Sequence, residues 1–92
     1  LFIVMKISDK NKQKISEHIL AYLYSISPRA VFTIQIAGEI IRDEEFIKRL
    51  LINLKKKGFV IDIKKNSKGI PYLKRTRWKL SDKAYSAYKL SQ

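Results

Sequence analysis

Apolar residues fall at helical spacing in two long stretches of this chain and at alternate positions in a third. Ile15, Ile19, Tyr22, Leu23 and Ile26 follow one another in steps of four, three, one and three, which puts them on one face of a helix. Pro28 ends that helix, because the residue before a proline avoids the α region. Phe46, Ile47, Leu50, Leu51 and Leu54 form a second helical stripe, and every local signal around it agrees. Asp43 is an N-cap, and Glu44 and Glu45 occupy the first turn, where the helix dipole favours negative charge. Lys55, Lys56 and Lys57 crowd the last turn, and Gly58 supplies a left-handed stop. Between the two stripes, Ala30, Val31 and Phe32 predict one very short strand. Thr33 then reads as the N-cap of a short helix, Ile34 to Ile41, that turns Ile36, Ala37, Ile40 and Ile41 inward.

After Gly58 the period changes from helical to alternating. Phe59 to Lys65 predicts a strand, Asn66 to Gly69 a turn and Tyr72 to Leu80 the return strand. Tyr72, Thr76, Trp78 and Leu80 share one face of the return strand, with Lys74 near the turn; Leu73, Arg75, Arg77 and Lys79 share the other. Ser81 can cap a last short helix through Leu90 that buries Ala84, Tyr85 and Tyr88. At the other end, Leu1 to Ile7 is apolar and β-prone, and Asp9 to Lys14 is a polar candidate helix start. A chain that begins with Leu and carries Met5 is expected to have a trimmed or incompletely given N-terminus. No internal repeat or low-complexity linker divides the sequence, so one domain over 1–92 is expected, with 1–10 an apolar arm available for dimer contact.

Composition adds a partner class. The chain has 92 residues, 46% of them hydrophobic, which argues against disorder. Its formal net charge is +12, and its isoelectric point near 10.1 implies a polyanion: DNA, RNA or an anionic membrane surface. Between Lys55 and Lys79 there are ten Lys or Arg against the single acid Asp62, so this segment carries +9 of the total. There is no cysteine, which excludes disulfides and thiolate metal sites. Leu1 to Met5 is too short for a signal-peptide core and no long apolar run follows, so the expectation is a cytoplasmic protein (host cytoplasm if viral) with no membrane partner. His18 is the only histidine and has no second ligand. With no nucleophile elbow and no phosphate-cradling glycine loop, the chain reads as a non-enzyme without cofactor or evident small-molecule ligand.

The order helix, short strand, helix, helix, two-stranded hairpin, short helix resembles the winged-helix variant of the helix-turn-helix. The residues that carry the resemblance are Thr33, Ile36, Ala37 and Ile40, then Asp43, Ile47, Leu50, Leu51 and Leu54, then Gly58-Phe59-Val60 and Trp78-Lys79-Leu80-Ser81-Asp82-Lys83. The last run looks like the strand-to-helix corner of small MarR-like and PadR-like regulators of archaea, bacteria and viruses. The resemblance implies an α+β fold: a three-helix core, a two-stranded β-hairpin wing and a short C-terminal helix. It also implies sequence-specific binding of double-stranded DNA by a transcriptional regulator. The recognition helix, about 43–57, would enter the major groove, and the wing, about 59–80, would lie along the backbone or in the minor groove.

Carried over residue by residue, Arg49 is placed to read guanine, Asn53 adenine and Glu45 cytosine. Lys48, Lys55 and Lys56 are placed at phosphates, and Lys64, Lys65, Lys68, Lys74, Arg75 and Arg77 charge the wing. The acidic first turn, Asp43-Glu44-Glu45, departs from the family pattern. It implies either base readout or a shallow docking carried mainly by the wing. A homodimer is expected through Leu1 to Ile7, the first helix and the tyrosines Tyr85 and Tyr88. Two other readings fit the same charge: an RNA-binding or ribosome-associated winged helix, and a protein-interaction module that meets an acidic partner.

Overall fold

Seven elements follow one another in the computed structural model, which describes residues 2–64 and 76–91, with side chains from Lys10 onward. They are α1 (Phe2–Ile26), β1 (Val31–Phe32), α2 (Thr33–Ile40), α3 (Glu44–Lys56), β2 (Val60–Ile63), β3 (Arg77–Leu80) and α4 (Asp82–Leu90). The helical stripes predicted from spacing are the ones that pack. Ile19 and Leu23 of α1, Ile36, Ala37 and Ile40 of α2, and Ile47, Leu50, Leu51 and Leu54 of α3 form one buried cluster with Val31, Val60, Trp78, Leu80 and Ala84. Each fully buried Leu or Ile in it contributes about 1.5–3 kcal/mol from the water it leaves.

α3 begins and ends as its sequence predicts. The Phe46 N–H donates to Asp43 Oδ2 at 3.2 Å, which caps the start. At the end, the Phe59 N–H reaches the Leu54 carbonyl at 3.0 Å and the Gly58 N–H reaches the Lys55 carbonyl at 3.0 Å. Gly58 adopts φ +82 to make this Schellman closure possible. α2 closes similarly, with the Arg42 N–H on the Ala37 carbonyl at 3.0 Å, but the left-handed residue there is Ile41, at φ 60 and ψ 57. A β-branched residue is strained in that region, and the Ile41 side chain is 83% exposed.

The sheet has three antiparallel strands in the order β1-β3-β2. The hairpin therefore gains the short strand Val31–Phe32 as a third member: Val31 lies opposite Trp78 and Phe32 opposite Arg77. On the other side of β3, Val60 faces Leu80 and Asp62 faces Trp78. Trp78 and Leu80 are buried, so the inner face is the one that alternation predicts. Ser81 secures the corner. Its hydroxyl donates to the Gly58 carbonyl at 2.7 Å and accepts from the Ala84 N–H at 3.1 Å, which joins the end of α3 to the start of α4.

Four expectations change. The β-prone start is helical rather than extended over Phe2 to Ile7: α1 runs from Phe2, and Asp9 to Lys14 lies inside it. No Pro or Gly interrupts the chain before Pro28, so extending a helix nucleated at Ile15–Ile26 outweighs the mild β-preference of Ile and Val. Thr33 is not the N-cap. Phe32 holds that position, Gln35 Oε1 accepts its N–H at 2.8 Å, and the Thr33 hydroxyl turns inward. Ile41 lies outside α2 and is exposed rather than inward-facing. Tyr85 is exposed and Tyr88 half-buried; both rings lie 5.4 Å from the ring of Tyr24, where they pack as an aromatic group rather than as core. The predicted turn Asn66–Gly69 and the stretch Tyr72–Arg75 lie outside the described residues.

Candidate nucleic-acid interface

α3 is anchored on one side and presented on the other. With Ile47, Leu50, Leu51 and Leu54 buried, Glu45, Arg49, Ile52 and Lys56 recur in steps of four, three and four along the centre of its outward face. All four are exposed. Lys48 lies at the edge toward the sheet. With Glu44 and Glu45 it lines a hollow of about 210 Å³ floored by Phe32, Thr33, Thr76 and Trp78. Asn53 lies at the opposite edge. It lines a groove of about 450 Å³ between α1 and the end of α3, with Lys12, Ser16, Glu17 and Lys57 among its neighbours. The predicted α3 residues thus share one helix face but divide among three zones of it.

Lys55, a phosphate partner by the resemblance, also has a partner within the protein. Its Nζ donates to Asp62 Oδ2 at 3.0 Å, across the Gly58 corner. Lys64 Nζ lies 3.7 Å from the same oxygen. Burial by itself pushes the Asp62 carboxyl up. The hydrogen bond from Lys55, a bond from the residue's own backbone and the charges of Lys55 and Lys64 outweigh that effect and hold it below the ordinary carboxylate value. Asp62 is therefore ionised at neutral pH.

On the sheet, Arg77 is half-buried, and its guanidinium lies 5.0 Å from the centre of the Phe32 ring. Arg77 thus braces the base of the hairpin against β1. Lys65, Lys68, Lys74 and Arg75 lie outside the described residues. The hairpin is also fixed from within: the Trp78 indole N–H donates to Thr33 Oγ1 at 2.8 Å in the core, linking β3 to the first turn of α2.

Ile52 is not among the contact residues expected from the sequence. It is 41% exposed, at the centre of an otherwise charged face. Its position between Arg49 and Lys56 in the helical period was the signal. Among the described residues no three His, Cys, Asp or Glu side chains gather into a metal-binding group, and no helix is long and apolar enough to cross a membrane.

No protein-family model and no curated protein matches the sequence. Solved structures do match by shape. The chain is similar to Staphylococcus aureus MepR in complex with DNA, at TM-score 0.71 and 19% identity, over 99% of this chain and 80% of that one. It is similar to Lactococcus lactis ZitR in apo form, at TM-score 0.69 and 18% identity, over 99% of this chain and 63% of that one. It is also similar to the Zalpha domain of Carassius auratus PKZ in complex with Z-DNA, at TM-score 0.60 and 23% identity, over 76% of this chain and 97% of that one. The arrangement of four helices about a three-stranded antiparallel sheet is a winged helix-turn-helix.

Proposed function

We propose that this chain is a sequence-specific, double-stranded DNA-binding regulator of transcription, a binding protein rather than an enzyme, acting in the cytoplasm as a homodimer. The observation that carries the reading is the outward stripe Glu45-Arg49-Ile52-Lys56 on a helix locked into the core, beside a hairpin segment of high positive charge. A winged helix seen in complex with DNA, that of MepR, described as a transcription regulator, supports DNA as the partner.

Physical chemistry assigns the roles. Arg49 offers a bidentate fork to guanine, Glu45 an acceptor to the cytosine amino group and Ile52 an apolar contact to the thymine methyl. Lys48, at the edge toward the sheet, and Lys56, in the last turn, neutralise phosphate. Asn53, at the α1 edge, reaches adenine where the helix tilts toward that side. The wing residues Lys65, Lys68, Lys74 and Arg75 add sequence-independent attraction. Glu44 and Asp43 are accounted for by the start of the helix, so the acidic first turn leaves Glu45 as its one base-reading acid. A homodimer would match a two-fold site, with α1 and the tyrosine group of α4 as its contact surface.

Selection from a random duplex pool tests the reading. Enrichment of a palindrome is the expected result, and Arg49→Ala should lose about 1–3 kcal/mol together with preference at one base pair per half-site. No enrichment, or structured RNA displacing every duplex, would overturn it. Light scattering at tens of micromolar checks the dimer separately; a monomer there removes it.

A further inference from the structure

Asp62 is the only acid among ten cations from Lys55 to Lys79, and it stands where the two basic elements converge. Its strand position faces Trp78, on the inner side of the sheet, one step outward from the buried Val60. Lys55, from the last turn of α3, meets its Oδ2 at 3.0 Å, and Lys64, just past β2, lies 3.7 Å away. The Asp62 side chain is 16% exposed, whereas those of Lys55 and Lys64 are 47% and 71% exposed. The acid is thus tucked in, and the two cations are held over it at the rim. A surface built only for affinity to a polyanion would carry no negative charge at this point, because it repels the ligand and occupies two of the ligand's partners.

We infer that Asp62 is an affinity-limiting residue of this interface. It keeps Lys55 and Lys64 engaged within the protein, which limits sequence-independent attraction to phosphate, and it braces β2 against the end of α3. The inference rests on the duplex-DNA reading above. Base contacts from α3 discriminate between sequences, whereas phosphate contacts strengthen all sequences alike. Holding back two lysines lowers the second contribution and leaves the first. Asp62 acts through the lysines and touches no base.

The salt dependence of binding reads this directly, because each phosphate newly neutralised steepens the log–log slope by roughly 0.9. Fluorescence anisotropy of the full chain would be followed from low to moderate salt on two duplexes, one enriched by selection and one random. Asp62→Asn should steepen the slope by about 0.9–1.8 on both duplexes and tighten binding to both by the same several-fold factor, leaving the ratio between the two unchanged. Asp62→Glu, which restores the charge, should return the slope toward wild type. Should Asp62→Asn fail to fold, as judged by circular dichroism, the double variant Asp62→Asn/Lys55→Gln replaces the pair by two neutral hydrogen-bonding side chains. It frees Lys64 alone and should steepen the slope by about 0.9. A slope at or below the wild-type value in whichever variant folds overturns the inference while the DNA reading stands. A wild-type chain that binds no duplex overturns the DNA reading, and this inference with it.

Discussion

Replacing Thr33 with Val removes one oxygen from the core and nothing else of comparable size. The Thr33 hydroxyl is the acceptor for the Trp78 indole N–H at 2.8 Å, both side chains are buried, and no buried side-chain polar atom among the described residues lacks a partner. The variant leaves the indole N–H dry and unpaired, which costs about 1–3 kcal/mol. For a domain of this size 1 kcal/mol shifts Tm by roughly 4–8 °C, so a loss of about 10 °C is expected. Trp78→Phe also removes the donor, but it adds a cavity, so it should cost more than Thr33→Val. The decisive quantity is the cycle. In the Trp78→Phe background the threonine hydroxyl has itself lost its partner, so adding Thr33→Val should cost little, leaving a coupling of about 0.5–3 kcal/mol. Urea unfolding by far-ultraviolet circular dichroism gives all four stabilities with one probe, and the single tryptophan reports the Thr33→Val transition independently by fluorescence. A Thr33→Val midpoint indistinguishable from wild type would refute the reasoning. So would an equal cost of that change with and without the indole.

Further outcomes follow from the same structure. Ile41→Gly relieves a left-handed β-branched residue whose side chain is exposed. The strain, about 1–2 kcal/mol, exceeds the extra chain entropy of glycine, about 0.5–1 kcal/mol, so thermal melting should rise by a few degrees. Ser81→Ala loses both the cap on Ala84 and the bond to the Gly58 carbonyl, and equilibrium unfolding should show about 1–2 kcal/mol less stability. The Asp62 carboxyl is held below its ordinary value in the fold, so its contribution is present above the unfolded value near pH 4 and is lost as pH falls through the folded one. Urea midpoints measured from pH 6 downward should therefore fall less steeply in Asp62→Asn than in wild type.

What could be read from the residues alone follows a physical division. α3 was legible from cap to stop because Asp43, the acidic first turn, the apolar stripe, the lysines and Gly58 all act within a few positions of one another. The inner face of β3 was legible because alternation at Thr76, Trp78 and Leu80 is equally local. The partners of those residues were not. Thr33 looks like a helix cap until Trp78, 45 positions later, claims its hydroxyl. Arg77 looks like one more wing charge until Phe32 pairs beside it in the sheet. The ion pair of Lys55 was hidden because its partner Asp62 lies seven positions on, beyond the reach of helical spacing and around a glycine corner. The β-prone start is helical from Phe2 for a related reason: composition there favours extension weakly, while a neighbouring helix free of breakers favours continuing.

The strand order has a consequence for how the chain comes together. β3, the last strand to emerge from a ribosome, is the middle strand of the finished sheet. β1 and β2 do not pair with each other, so neither has a hydrogen-bonded edge to join until residues 77–80 arrive. A nascent chain stopped before that point can assemble α1, α2 and α3 around Ile19, Ile36, Ile47 and Leu51, but its two earlier strands wait. Closing the sheet is then a single late event that brings together segments far apart in sequence, the kind of step that slows folding. Truncation at the C-terminal side of β2 should leave a helical, loosely packed intermediate in place of a smaller native domain.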